Sequence, residues 1–254
     1  MPVKAYRPAW WRVWLARPFV RVVLRVVFWM LAPVRITGQG NVPRGTPYIV
    51  AINHVSLFDP PFVGVFFPKA VEAMGAAEVW DRPGQNILAR LWGGIPVHRG
   101  DYDRAMFDTV LAVLRSGYSL LIAPEGGRSH IPGLRTAKLG VAYLAEQSGM
   151  PVVPVAIVGT TDDFWKKAVK GKRPRLEMHI GKPIDLPPVE GKGAERRASR
   201  QANADLVMRH LAGLLPEDYR GVYSANAIFP DPQAGYGSPG SSTGVKFGSN
   251  PKAN

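Results

Sequence analysis

The chain has 254 residues, of which 46% are hydrophobic and 20% charged, so it can bury one ample core but not two large domains. It contains no cysteine, which excludes a disulfide framework, a thiolate zinc site and a cysteine nucleophile. The net charge of +13 is unevenly distributed, because the first 58 residues hold eight Lys or Arg and no Asp or Glu.

The N-terminal arm, residues 1–35, combines this basic charge with four of the seven tryptophans. Pro18 predicts the start of a helix in the arm. On a helical wheel Arg17, Arg21 and Arg25 form one stripe, and the longest uncharged run is nine residues, against roughly 20 for a membrane span. Because indole rings prefer the membrane–water interface, we expect the arm to lie in an anionic bilayer surface with its arginines among lipid phosphates.

Two alternatives for the arm are less favoured. The first is a helix packed on the protein's own core with an exposed basic stripe, but apolar positions cover too much of the wheel for a one-sided contact. The second is nucleic-acid binding, for which the valine, leucine and phenylalanine side chains would have no partner along a phosphate backbone. We therefore expect membrane lipids as a partner and no nucleic acid.

Beyond the arm, short apolar runs alternate with helical patterns. Strands are predicted at 47–52, 69–74, 118–123 and 151–158, with an edge strand at 175–180. Helices are predicted at 103–116, 138–147 and 195–215, the first of them capped by Asp103. The alternation predicts an α/β fold, with a mostly parallel sheet flanked by helices and preceded by the amphipathic membrane-binding arm.

Two later segments differ in composition from this pattern. Residues 166–175 carry six Lys or Arg in ten positions, which predicts a solvated basic loop. From Asp231 onward, 12 of 24 residues are Gly, Ser or Pro, which favours a tail without regular structure. The predicted organisation is therefore the arm at 1–35, a core domain at 36–220 and a tail at 221–254.

Polar side chains follow two of the predicted strands, where ligands gather in open parallel sheets. In the run NHVSLFDP after the first strand, Asp59 can accept the Nδ1 proton of His54 and leave Nε2 free as a general base. The spacing alone is weak, because His98 and Asp103 form a similar pair. The context of a strand end makes the first pair the better candidate.

The run PEGGRS follows the strand at 118–123 and indicates an anion site. Gly126 and Gly127 allow close backbone approach to a ligand, and Arg128 offers a planar guanidinium suited to phosphate. Arg99, in the glycine-bearing segment 93–100, is a second candidate phosphate ligand. Two such arginines beside a His–Asp pair favour a phosphate-containing substrate over solvated surface charges.

These runs together resemble the glycerolipid acyltransferase family, whose first block is N-H-x4-D and whose third is E-G-[TG]-R-S. Residues 94–99 and 153–156 resemble its second and fourth blocks. The resemblance implies transfer of an acyl group from acyl-CoA or acyl-carrier protein to the free hydroxyl of a lysophosphatidic acid, without a cofactor or metal. It also implies a peripheral protein on the cytoplasmic face of the membrane.

The resemblance assigns His54 as the catalytic base and Asp59 as the residue that orients it. It assigns substrate binding to six residues: Asn53, Arg99, Glu125, Gly126, Arg128 and Ser129. Two positions depart from the common pattern, since Gly127 replaces a frequent Thr and His98 a frequent Asp. Other acceptors, such as glycerol-3-phosphate or another lysophospholipid, therefore stay open.

Overall fold

The computed structural model of the chain describes residues 5–97 and 104–228. The strands within these residues are β1 (Val34–Thr37), β2 (Ile49–Ile52), β3 (Glu72–Ala76), β4 (Ile95–Val97), β5 (Leu120–Ile122), β6 (Val152–Val158) and β7 (Leu176–Ile180). The helices are α1 (Arg17–Leu31), α2 (Asp59–Phe66), α3 (Gln85–Trp92), α4 (Arg104–Arg115), α5 (Gly140–Ser148), α6 (Phe164–Val169) and α7 (Gly193–Leu214). A wider helical turn, Arg12–Ala16, leads directly into α1.

All described strands belong to one sheet in the order β1-β7-β6-β2-β5-β3-β4. Every neighbouring pair is parallel except β6 and β7, which confirms the predicted α/β fold with a mostly parallel sheet. The predicted edge position of β7 is wrong, because β1 pairs with it in parallel and forms the edge instead. β1 was not predicted, since its four residues directly follow the helical pattern of the arm.

The sheet is covered on both faces, and β2 shows how the sequence achieves this. All four of its residues are buried: Ile49 and Ala51 belong to the apolar cluster that includes α4, α5 and α7. Val50 and Ile52 belong to the cluster that includes α1, α2 and α6. A continuous apolar strand is the expected sequence for a central parallel strand buried on both faces.

The carboxyl ends of β2 and β5 form the crevice of the sheet. The two strands are paired, with Ile49 opposite Leu120. The chain leaves β2 through α2 on one face of the sheet, and it leaves β5 through α5 on the other face. Connections that lead to opposite faces open a ligand-binding crevice beyond the ends of the two neighbouring strands.

The arm packs on the protein through its arginine stripe, so the predicted placement of these arginines among lipid phosphates is wrong. Arg17 is buried and donates two hydrogen bonds of 2.7 Å to Glu72. Arg21 and Arg25 donate to carbonyl groups at the end of α2, which have no partner within that helix. These acceptors turn the charged stripe inwards and leave an apolar face exposed: Trp14, Phe19, Val22, Val23, Val26, Trp29 and Met30.

No helix in the described part of the chain is both long enough and apolar enough to span a bilayer.

Two predicted segment boundaries also differ from the structure. The basic segment 166–175 is partly helical, because α6 extends to Val169 and buries Phe164 and Ala168 against the core. A helical turn follows residue 220, where Tyr223 is buried and donates a 2.6 Å hydrogen bond to Asp205. Burial and this carboxylate raise the pKa of Tyr223 to about 12. The core domain thus continues beyond 220, while residues 229–254 lie outside the described range.

Candidate active site

The centre of the crevice is the pair formed by His54 after β2 and Asp59 at the start of α2. His54 Nδ1 lies 2.9 Å from Asp59 Oδ2. The same oxygen accepts the backbone N–H groups of Val55 and Ser56, at 2.7 and 2.8 Å. Because the carboxylate accepts from all its partners, Nδ1 carries the proton and Nε2 is the basic ring nitrogen.

Asp59 is completely buried, with 0% of its surface exposed, and a further residue fixes its second oxygen. The hydroxyl of Thr160, in the loop after β6, donates a hydrogen bond to Asp59 Oδ1. Sequence reasoning missed Thr160, although its position just beyond a buried strand was an available signal. The carboxylate is therefore held by groups from two strand ends and has little freedom to rotate.

Asn53 was assigned to substrate binding from the sequence, whereas the structure shows it in a structural role. Its side chain is buried, and its Nδ2 donates to the Ile157 carbonyl at 2.8 Å. Its Oδ1 accepts the Ile157 N–H at 2.7 Å. The amide thereby uses both of its polar atoms to tie the end of β2 to β6 just before His54.

Glu125, after β5, supports the backbone of the catalytic pair. Its carboxylate accepts the N–H of His54 at 3.1 Å and the N–H of Arg135 at 3.1 Å. Burial raises the pKa of Glu125, and the hydrogen bonds from His54 and Arg135 partly counteract that effect. The side chain joins two loops, whereas we predicted direct contact with the substrate.

Ser129 also contacts the loop of His54 and does not line the crevice. Its N–H donates to the His54 carbonyl at 2.8 Å, and its hydroxyl donates to the Ile131 carbonyl at 2.7 Å. The hydroxyl thus serves its own loop, in contrast to the predicted substrate contact. Together with Glu125, Ser129 fixes both backbone polar groups of His54.

Gly126 and Arg128 do line the crevice, as does Lys138, which sequence reasoning missed. Gly126 has a φ of 69°, and a Cβ there would approach Lys138 Cγ to 3.0 Å, so the glycine keeps the lysine stem close to the loop. Arg128 Nη1 lies 4.0 Å from Asp162 Oδ1. The crevice therefore has two cationic side chains beside His54.

A cavity of about 490 Å³ extends from this polar end into the protein. Its inner walls are mainly apolar and come from α1, α2, β3, α3, α4 and β5. Representative lining residues are Val20, Leu24, Ala73, Met74, Leu88, Trp92, Met106 and Phe107. The shape combines a polar mouth at His54 with an apolar interior.

Some candidate residues fall outside the described part of the chain. Arg99 and His98 lie in the gap between residues 97 and 104, as does Asp103. The preceding residues of the second block form β4, which pairs with β3. Within residues 5–97 and 104–228, no three His, Asp or Glu side chains are grouped closely enough to hold a metal ion.

Comparison with known proteins finds several acyltransferases that are similar to this chain. A family model described as Acyltransferase matches residues 33–158. The chain is 32% identical over 202 residues to a lyso-ornithine lipid O-acyltransferase of Pseudomonas aeruginosa, covering 70% of this chain and 75% of that protein. It is 26% identical over 170 residues to a 1-acyl-sn-glycerol-3-phosphate acyltransferase of Borreliella burgdorferi, covering 66% of this chain and 68% of that protein.

The fold is similar to the crystal structure of the 1-acyl-sn-glycerophosphate acyltransferase PlsC from Thermotoga maritima. The TM-score is 0.55 and the identity 25%, over 77% of this chain and 79% of that one. The alignments with cattle and meadowfoam (Limnanthes) relatives span 55% and 58% of those longer proteins. The sequence blocks, the fold and these similarities show that the chain belongs to the glycerolipid acyltransferase family of enzymes.

Proposed function

We propose that the protein transfers an acyl group from an acyl thioester to the free hydroxyl of a lysophosphatidic acid, forming phosphatidic acid for phospholipid synthesis. The observation that carries this proposal is His54, whose Nδ1 is held by Asp59 while the residue lines the mouth of an apolar cavity. Acyl-CoA and acyl-carrier protein are the proposed donors. Relatives named as 1-acyl-sn-glycerol-3-phosphate acyltransferases support this choice of acceptor.

In the proposed reaction, Nε2 of His54 takes the acceptor hydroxyl proton while the oxygen attacks the thioester carbonyl carbon. A carbon–oxygen bond forms, the carbon–sulfur bond breaks, and the leaving thiolate receives the proton from the imidazolium. Asp59 holds the required tautomer and stabilises the positive charge that forms on the ring. Because the transfer is direct, the scheme uses no acyl-enzyme intermediate and no cofactor.

The polar mouth and the apolar interior fit the two parts of the substrates. In the proposal Arg128 and Lys138, which line the same cavity as His54, hold the acceptor phosphate, and the Arg128 guanidinium can bind two phosphate oxygens. Arg99 remains a proposed third phosphate ligand. The apolar interior of the cavity suits an acyl chain, whose transfer out of water stabilises the complex by about 0.8 kcal/mol per methylene group.

The arm supports a peripheral location on the cytoplasmic face of the membrane, where both the lipid acceptor and the soluble donors are accessible. Its outer face exposes Trp14, Phe19 and Trp29, as expected of a helix that lies in the interface. Its inner face contributes Val20 and Leu24 to the cavity wall. The proposed catalytic cavity is thus next to the proposed lipid surface.

A second candidate acceptor is a zwitterionic lysolipid such as a lyso-ornithine lipid. Asp162 supports it, because this carboxylate lies 4.0 Å from Arg128 and 2.9 Å from His130 at the exposed side of the site. An acceptor with one anionic and one ammonium group could bind Arg128 and Asp162 together, whereas a phosphate alone meets repulsion from Asp162. The 32% identity to an enzyme named for that substrate points the same way.

Purified full-length protein offered several acceptors with acyl-CoA tests the proposal. Free thiol release and the acylated product are followed for lysophosphatidic acid, lyso-ornithine lipid, glycerol-3-phosphate and a lysophosphatidylcholine. We expect the highest kcat/KM with lysophosphatidic acid. A preference for lyso-ornithine lipid that Asp162→Asn weakens would establish the second candidate, and no thiol release with any acceptor would contradict both.

A further inference from the structure

The structure separates the two properties that the sequence placed together on the arm, basic charge and an apolar surface. The arginines of α1 face the protein, where Arg17 binds Glu72 and the Trp92 carbonyl. Arg21 and Arg25 donate to the carbonyls of Phe67 and Val65. The outer face of α1 therefore presents apolar side chains, and its arginine stripe is turned towards the protein.

The basic platform, defined as residues 164–175, lies next to the arm. Its Phe164 is buried and stacks against Phe28 of α1, with ring centroids 6.2 Å apart. At its other end, Arg173 Nη2 donates a 3.1 Å hydrogen bond to the Trp29 carbonyl. These contacts make the platform continuous with the exposed face of α1.

The exposed side of the platform combines charge with interfacial side chains. Trp165 and Val169 are four residues apart on α6, so they share a helix face, and they are 48% and 59% exposed. Lys166, Lys170 and Lys172 are exposed, and no carboxylate of the described residues forms a salt bridge with them. An exposed indole among such lysines is the composition of a surface that binds anionic lipid headgroups.

We propose that the basic platform is a second membrane contact that selects anionic lipids, while the outer face of α1 inserts into the apolar layer without charge selectivity. This inference rests on the proposed membrane association of the arm. The occupant is a bilayer surface because the platform continues the apolar stripe of α1 and carries its own Trp165. The other polyanion to consider is an acidic acyl-carrier protein, which the experiment distinguishes.

Vesicle flotation of the full chain tests this division. The variant Lys166→Gln/Lys170→Gln/Lys172→Gln is compared with Lys182→Gln/Lys192→Gln/Arg197→Gln, which removes the same charge from exposed positions on other elements. Vesicles contain either phosphatidylcholine alone or phosphatidylcholine mixed with phosphatidylglycerol, because each basic residue near an anionic surface contributes about fivefold in affinity. Circular dichroism and thermal melting confirm that each variant is folded.

We expect the platform variant to lose roughly 100-fold in affinity for the anionic vesicles and to bind neutral vesicles like the wild type. The control variant should bind both like the wild type. Equal affinity of the platform and control variants for anionic vesicles would overturn the proposal. Unchanged vesicle binding with a raised KM for acyl-carrier protein would overturn it in favour of a carrier-protein contact.

A separate variant tests the proposal for the arm on which this inference rests. Phe19→Ser/Val22→Ser/Val26→Ser changes only exposed positions on α1. We expect it to lose binding to neutral and anionic vesicles alike. The arm variant could bind neutral and anionic vesicles like the wild type while the platform variant loses binding to anionic vesicles. That result would refute the proposal for the arm and make the platform the main membrane contact, and it would contradict the division of roles.

Discussion

The catalytic edge of the sheet and the N-terminal arm both hold ionisable side chains in buried positions, yet the two regions use them differently. In the arm, the guanidinium of Arg17 donates from all three of its nitrogens, two to Glu72 and one to Trp92. At the edge, Asp59 holds Nδ1 of His54, and His54 lines the cavity. A side chain that is bonded to the protein through every one of its nitrogens holds the fold, whereas a ring that is fixed through one nitrogen keeps the second nitrogen for chemistry.

Asp59→Asn removes the carboxylate that holds His54 at the catalytic edge of the sheet, and it has the largest expected effect. We expect kcat to fall by about 10²–10⁴-fold, because a neutral amide next to Nδ1 cannot stabilise the positive charge that forms on the His54 ring. Steady-state kinetics of thiol release measure the loss. Asp163→Asn, at an exposed carboxylate, is the control and should keep normal turnover. Normal kcat in Asp59→Asn would show that the pair is not part of the chemistry.

Arg17→Met removes the ion pair that holds the arm on the protein, so it should affect stability and not the chemistry. Removing one partner of the buried Arg17–Glu72 pair leaves Glu72 uncompensated, so the free energy of unfolding should fall by about 3–5 kcal/mol. Urea unfolding followed by circular dichroism measures it. The double variant Arg17→Met/Glu72→Leu should recover most of the loss, because no unpaired charge remains. A double variant less stable than the single one would contradict this reasoning.

Arg128→Lys sharpens the distinction between holding the fold and binding substrate. Lysine keeps the charge but cannot bind two oxygens at once, so the acceptor KM should rise about tenfold while the donor KM stays unchanged. Thermal stability should change little, since among the described residues the closest carboxylate, that of Asp162, lies 4.0 Å from Arg128 and is partly exposed. Arg115→Lys, at the end of α4, is the matched control. A loss of activity that follows unfolding alone would assign Arg128 to the fold.

Ala73→Phe tests the apolar cavity and has the smallest expected effect. The added ring should fill part of the cavity, and preference should shift to shorter acyl donors by about fourfold for each methylene group excluded. Competition between acyl-CoA esters of different length measures the preference. Ile87→Phe adds a similar ring to an exposed position on neighbouring α3 that does not line the cavity. The same donor preference in both variants would place the acyl chain elsewhere.

The central strands were predictable because β2, β5 and β6 are short apolar runs bounded by turn residues, and their parallel order followed from the intervening helices. β1 and the interior position of β7 were not predictable, since pairing between segments about 140 residues apart leaves no local signal. The orientation of α1 could not be predicted for the same reason. Its wheel shows which arginines share a face, but the inward turn depends on Glu72 and on carbonyls at the end of α2.

The residues of the candidate site were also predictable only in part. The spacing of His54 and Asp59 anticipated their contact, because the two residues stand at the ends of one short loop between β2 and α2. Asn53, Glu125 and Ser129 were assigned to substrate, yet the structure shows hydrogen bonds that hold the loops of the site. The motif marks residues that the site requires without showing whether each touches the ligand. Thr160 and Lys138 lie outside the two persuasive runs, so their place in the site emerges only from the fold.

The central claim is that His54 acts as the base in acyl transfer, and single-turnover kinetics of His54→Ala test it most directly. The purified variant is mixed with acyl-CoA and lysophosphatidic acid in mixed vesicles, and both product and free thiol are followed, with His210→Ala as a histidine control outside the cavity. We predict that His54→Ala binds both substrates and membranes normally, while the transfer rate falls by about 10²–10⁴-fold. Wild-type transfer by folded His54→Ala would contradict the account.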